Sequence, residues 1–269
     1  MFRTMVGWGG RVIRAISWLL SKFNLRIMSD AELETLISAR AEQARKAIYE
    51  TEIDRLVIAR TEQLRKSIKE LEESYDITLD ALGASLDLKE AQTERHSKRV
   101  TAYAIGIAKT MGISPDEIRV IARGAFLHDI GKMAIPDQIL TKPGPLDTSE
   151  WQIMREYCLR GYQIVKKIPF LSAAAEIVYA HQERYDGTGY PRGLKETDIP
   201  LGARIVAIAN TLDAITSNRP YRAAQSLDFA REEIGRWSGR QFDPDIVKIF
   251  LSMPANIWEA LRTDIGPAH

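Results

Sequence analysis

Apolar residues recur at steps of three and four through most of the chain, and no stretch sustains the period-two alternation of a half-buried strand. That pattern predicts an all-α protein. Its segments differ in what the apolar face is made to meet. In residues 1–28, Val12, Ile13, Ile16, Leu19, Leu20, Phe23 and Ile27 share one face of a helical wheel, while Arg3, Arg11, Arg14, Lys22 and Arg26 share the other. A basic amphipathic helix of this kind suits an anionic membrane surface, or else it packs its apolar face on protein. No run in it approaches the roughly 20 apolar residues of a membrane span.

Residues 30–74 contain neither Pro nor Gly and are dominated by alanine and charged residues, which favours helix. Within and beyond them, Val57, Thr61, Leu64, Ile68, Leu71, Tyr75, Thr78 and Leu82 alternate steps of four and three. This heptad spacing predicts a helical, coiled-coil-like stalk over residues 29–85 that pairs with a second copy; the alternative is a helix folded back on its own domain. The stretch "ARAEQARKAI" at 39–48 echoes "ARTEQLRKSI" at 59–68. Their offset is not a whole number of heptads, so the echo is a local duplication and not a solenoid repeat.

Residues 86–269 read as a compact helical bundle. "SPDEIRVIARGAFLHDIGK" opens with Ser114 as N-cap, Pro115 at the first helical position and Glu117 at the third. "DTSEWQIMREYCLRGYQIVKKI" opens with a second cap and predicts one continuous helix. "LSAAAEIVYAHQER" and "PLGARIVAIANTLDAIT" are helical on either side of a glycine-punctuated loop, "RYDGTGYPRGL".

Composition narrows the chemistry. The chain has 269 residues, 45% apolar, with a formal net charge of +1. This is ordinary globular balance, with no basic excess to point to a nucleic-acid partner. The single cysteine, Cys158, excludes an internal disulfide and suits a reducing compartment. Together with the basic segment, it suggests the cytoplasm and the inner face of a membrane. There are only four histidines, so a histidine-rich metal site must use nearly all of them. His96 stands on one helix, the pair His128-Asp129 ends a second, His181 ends a third and Asn210 lies on a fourth. Helices that each present N or O donors inward are a familiar way for a bundle to hold a metal. Lys132 follows one turn after His128 on the same side.

In order and spacing, the blocks "TERHSKRV", "FLHDIGKMAIPDQILTKPGPL", "HQERYDGTGYPRGL", "IPLGARIVAIAN", "LDAITSNRPYR" and "GRQFDP" resemble the HD-GYP phosphodiesterases of the HD superfamily. These hydrolyse cyclic di-GMP. The resemblance covers roughly residues 75–250. It implies an HD-superfamily helical bundle, a module of cyclic di-GMP signalling, and a metal-dependent hydrolase with two or sometimes three metals. Fe or Mn is the expected metal. His96, His128 and Asp129 match ligands of one metal, and Asp129 also bridges to the second, where His181 matches one histidine. Asp129 and Lys132 match catalytic positions. Asp213, Arg219 and Arg222 match residues near the bound dinucleotide, and arginine binds phosphate bidentately. A diguanylate cyclase or another signalling protein is the partner the family suggests.

The match fails at several ligands. Asn210 replaces the aspartate that completes the first site, Tyr157 and Gln182 replace two histidines of the second, and Gln92 stands where some members carry a third-metal glutamate. An amide oxygen is neutral, and tyrosine must lose a proton of pKa near 10 to bind a metal well. The expectation is one metal per chain at most, and a degenerate phosphodiesterase that retains nucleotide or partner binding. The alternative is an active enzyme with one metal, or with a second metal ligated by Tyr157.

Overall fold

The structure, a computed structural model, describes residues 14–15, 18–19, 21–22, 29–90, 96–218 and 222–263. Most of the basic segment, and with it the expected amphipathic helix, lies outside the described residues, as do Gln92 and Arg219. Helix α1 runs Asp30–Glu90, as the absence of helix breakers through residue 82 predicts. It is followed by α2 (His96–Thr110), α3 (Pro115–Leu127), a 3-10 turn (Ile130–Ala134) and α4 (Asp137–Leu140). Then come α5 (Thr148–Arg155), α6 (Tyr157–Val165), α7 (Ser172–Ala180), α8 (Leu201–Thr216), α9 (Leu227–Arg236), α10 (Pro244–Ser252) and α11 (Ala255–Thr263). No strand occurs among the described residues, so the all-α expectation holds.

The chain divides into two units, Met1–Ser74 and Tyr75–His269. In the first, the helix exposes its large apolar residues: Leu64, Ile68 and Leu71 are 62, 56 and 50% accessible. In the second, the end of α1 belongs to the domain. Tyr75 stacks on Phe170 with ring centroids 3.8 Å apart, and Leu79 is buried. The heptad seam therefore has two uses. Tyr75 and Leu82 are half-buried within the domain although Thr78 between them is exposed, and the earlier turns are left bare.

The core lies among α2, α3 and α8, closed by α9, α10 and α11. Val100, Ile107, Ile121, Ile205, Ile208, Leu212, Ile234 and Phe250 are all inaccessible or nearly so. Each such side chain contributes about 1.5–3 kcal/mol by leaving water. Caps fix the helix starts. Ser114 Oγ accepts from Glu117 N, and Asp147 and Glu150 form a capping box at α5. In "GRQFDP", Asp243 caps α10 and Pro244 takes its first turn.

The single helix expected over 147–168 is two. The helical hydrogen-bond pattern is interrupted at Glu156; α5 carries no buried residue, while α6 buries Tyr157, Cys158, Gly161 and Val165. α6 lies against the 3-10 turn after His128. The approach is close enough that only glycine fits at 131: a Cβ there would fall 1.8 Å from the Tyr157 carbonyl oxygen. This packing brings Tyr157 to the histidines.

Candidate metal centre and adjoining pocket

Three histidines are set by the same device. Nδ1 of His128 donates to Ala125 O at 2.7 Å, and Nδ1 of His181 donates to Val178 O at 2.8 Å. Nδ1 of His96 donates to Asp213 Oδ2 at 2.6 Å. Each anchored Nδ1–H leaves the lone pair on Nε2. For two of the three, that lone pair meets no donor. His128 Nε2 is buried without a hydrogen-bond partner: Asp129 Oδ2 lies 3.2 Å away but outside hydrogen-bonding geometry. His96 Nε2 lies 3.8 Å from the same oxygen. Donor atoms of His96, His128 and Asp129 all fall within 4.8 Å of one another, roughly twice a metal–ligand bond. A buried nitrogen with no partner beside a carboxylate and a second free imidazole nitrogen fits a divalent cation. Asn210 lines the same pocket, of about 260 Å³, with His96, Asp129 and Lys132.

The charges agree with this. Burial resists charge on Asp129, but His128 and Lys132 overcome it and hold the carboxyl well below its usual range. Lys132 Nζ donates to Asp129 Oδ2 at 2.7 Å. Burial also opposes charge on His128, and the Asp129 carboxylate outweighs it, raising His128 above its ordinary value. His96 is lowered by burial, against the pull of Asp213.

The His181 side is arranged differently. Its Nε2 lies 3.8 Å from Asp129 Oδ1, close enough to share an ion with it. But Tyr157 Oη–H donates to that nitrogen at 2.8 Å, and Gln182 Nε2 donates to Tyr157 Oη, also at 2.8 Å. The three residues at the expected second site thus satisfy one another. Burial, then Asp129, pushes the Tyr157 phenol well above 10, so it is a neutral donor. Burial and His128 lower His181 to about 3. Cys158 offers no thiolate, since burial pushes it up to about 12.

Two residues matched to the dinucleotide stand elsewhere. Asp213 is not open to a ligand: it is 1% accessible and accepts from His96, from Arg99 Nε and Nη2, and from Ser217 Oγ. It is a positioning residue that aims His96. Arg222 lines neither pocket near the metal ligands; its Nη2 donates to the Ala214 and Ile215 carbonyls at the end of α8. Helix-end carbonyls are a strong local competitor for a guanidinium. Arg99 was missed in the sequence. Its signal was a charged residue one turn after His96 on the apolar face of α2.

The loop after His181 is held by another missed residue, Glu183. Its buried carboxylate accepts from Arg192 N at 2.7 Å and Leu194 N at 3.1 Å. At Gly189, a Cβ would lie 2.3 Å from Arg184 N, so the loop doubles back on its own start only with glycine there. The loop walls a second pocket of about 380 Å³, which shares Gln182, Asn210 and Thr211 with the first.

An all-helical domain with a buried His-His-Asp cluster beside a loop-walled groove defines a class of metal-site protein. The comparisons place the chain within it. The HD domain family matches residues 81–246. A cyclic di-GMP phosphodiesterase of Thermotoga maritima is 40% identical over 69% of this chain and 51% of its own length. The cyclic di-GMP phosphodiesterase response regulator RpfG of Xanthomonas campestris is 39% identical over 67% and 48%. A 3′3′-cGAMP-specific phosphodiesterase of Vibrio cholerae is 38% identical over 63% and 33%. Among solved structures, a cyclic GMP-AMP-specific phosphodiesterase of V. cholerae superposes with TM-score 0.57 at 22% identity, covering 70% of this chain and 51% of that one. A Bdellovibrio bacteriovorus protein, Bd1817, described as HDG"Y"P, superposes with TM-score 0.51 at 22% identity, covering 66% and 63%. This chain belongs to the HD domain family. It spans about half the length of the first curated relatives it matches. No described helix is long and apolar enough to cross a membrane.

Proposed function

We propose that this chain is a cyclic-dinucleotide-binding HD-GYP module with a degenerate phosphodiesterase centre. It binds cyclic di-GMP with a phosphodiester over His96, His128 and Asp129, holds one Fe or Mn, and hydrolyses the ligand slowly if at all. The observation that carries this is the closed hydrogen-bond set of His181, Tyr157 and Gln182. A second ion would have to displace a phenol that already meets the histidine nitrogen it needs. A divalent ion at the first site supplies phosphate neutralisation and lowers the pKa of bound water. The chain's own residues do the rest: Asp213 and Ala125 O aim the two imidazoles, and Lys132 adds positive charge beside Asp129. Asn210 completes the set with a neutral oxygen, which weakens the site relative to a carboxylate. The rival reading, an active enzyme with Tyr157 as a metal ligand, needs a phenolate where burial and Asp129 oppose one.

In this reading the domains follow residues 1–28, 29–85 and 86–269. The bare apolar face around Leu64, Ile68 and Leu71 pairs with a second copy. The basic segment meets an anionic membrane surface, and a diguanylate cyclase or another signalling protein is the partner. The test is elemental analysis for metal per chain, alongside hydrolysis of cyclic di-GMP with added Mn²⁺ or Fe²⁺. At most one metal and weak turnover are expected. Tyr157→His, Gln182→His and Asn210→Asp together raise both, and the single changes do much less. Two metals per chain with turnover of about 1 s⁻¹ or faster refutes the reading.

A further inference from the structure

The block "GRQFDP" is only partly explained by the fold. Phe242 fills the core, while Asp243 and Pro244 start α10, but Gln241 faces the second pocket. There its Oε1 accepts from Arg184 Nη1 at 3.1 Å. The Arg184 guanidinium lies over the Trp237 ring, 5.1 Å from its centroid, and its Nε is 3.9 Å from Asp186 Oδ1. The arginine is therefore braced on three sides. Among the described residues, Arg184 Nη2 and Gln241 Nε2 have no hydrogen-bond partner. A guanidinium and an amide joined by one hydrogen bond thus stand side by side among the residues that line the pocket.

The pocket wants acceptors. Its one carboxylate, Glu183, is turned to the backbone N–H groups of Arg192 and Leu194. Arg155, which also lines the pocket, sits over the Tyr190 ring, 5.2 Å from its centroid, adding further positive charge and an aromatic wall. The volume, about 380 Å³, lies within the range of small-molecule sites. The pocket is also contiguous with the metal pocket through Gln182, Asn210 and Thr211. A ligand with its phosphate at the histidines would extend a nucleoside into it.

We infer that Arg184 and Gln241 form a base-reading pair that selects guanine over adenine in the nucleoside next to the metal centre. Guanine offers two acceptors, O6 and N7, on one edge, which two adjacent donors satisfy. Adenine offers N7 but replaces O6 with an amino donor, which would face an N–H and leave both unpaired. The inference rests on the cyclic-dinucleotide reading above and adds to it a specificity and the residues that set it.

The test is titration calorimetry of the whole chain with cyclic di-GMP, 3′3′-cGAMP and cyclic di-AMP, in fixed Mn²⁺ and salt. The chain as it stands should bind cyclic di-GMP about 5- to 150-fold more tightly than cyclic di-AMP. Arg184→Gln should lose most of that ratio by weakening the guanine-containing ligands while changing cyclic di-AMP little. Gln241→Glu keeps the bond from Arg184 and leaves the Gln241 backbone unchanged, so it should fold. It replaces the amide donor with a carboxylate acceptor, which should weaken cyclic di-GMP and strengthen cyclic di-AMP. Circular dichroism melts confirm that each variant is folded. Cyclic di-GMP binding without preference, or variants that weaken all three ligands equally, overturns the pair's role and leaves the cyclic-dinucleotide reading standing. No binding of any of the three ligands overturns both.

Discussion

Arg99 and Asp213 form an ion pair with both side chains 1% accessible, at the back of the residue that aims His96. Arg99 Nε lies 2.5 Å from Asp213 Oδ1, and Nη2 lies 3.1 Å from Oδ2. Replacing Arg99 with methionine keeps the buried stem but strands the carboxylate. Its remaining donors are His96 Nδ1 and Ser217 Oγ, neither of which carries a fixed positive charge. Removing one partner of a buried pair costs about 3–5 kcal/mol. For a domain of this size, that lowers the melting temperature by about 6–20 °C. The pair is coupled, so Arg99→Met with Asp213→Asn should lose much less than the sum of the single changes. Asp213 is depressed: burial alone would raise it, but His96 and Arg99 more than compensate. Its stabilising contribution is therefore full above the unfolded carboxyl value near 3.8 and is lost as pH falls below it. The gap between the wild-type and Arg99→Met melts should narrow in that acid range. Because Asp213 orients a metal ligand, Asp213→Asn should also weaken Mn²⁺ binding by about 10- to 100-fold. A melt within about 2 °C of wild type for Arg99→Met, or strict additivity in the double variant, would show that the pair does not carry this part of the fold.

Glu183→Ala removes the acceptor for two backbone N–H groups, costing about 1–3 kcal/mol locally. Hydrogen exchange at Arg192 and Leu194 should accelerate, and unchanged rates there would contradict the anchoring role. His181 is held neutral down to about pH 3, whereas the unfolded chain takes up that proton near 6.5. The unfolded state binds more protons between those values, so stability of metal-free protein should fall as pH drops through the window. His181 contributes at most about 1.4 kcal/mol per pH unit, and His181→Gln should flatten the slope. Leu64→Lys with Ile68→Lys and Leu71→Lys places charges on a face already exposed, so the domain should melt normally. Light scattering should nevertheless show the dimer lost, and a monomeric wild-type chain would dispose of the pairing.

Much of this molecule was written in its local patterns. Helix starts at Ser114 and Asp147 follow from side chains that satisfy backbone N–H groups three residues away, and α1 follows from helix formers uninterrupted through residue 82. The ligand candidates His96, His128, Asp129 and Asn210 were legible because each sits in a block with its own residue order. The break at Glu156 was not legible, because it is set by what α6 must pack against and not by a weak helix former. Periodicity showed a seam to Leu82 but could not say that Tyr75 would stack on Phe170 of the domain. The fates of the charged residues were also invisible. Asp213 and Arg222 read equally well as ligand contacts; long-range packing turned the first toward Arg99, and the nearby carbonyls at the end of α8 drew the second. A substituted ligand set shows which donors are poorer. That Tyr157 reaches back to close on His181 is a distance between residues 24 positions apart, and packing alone fixes it.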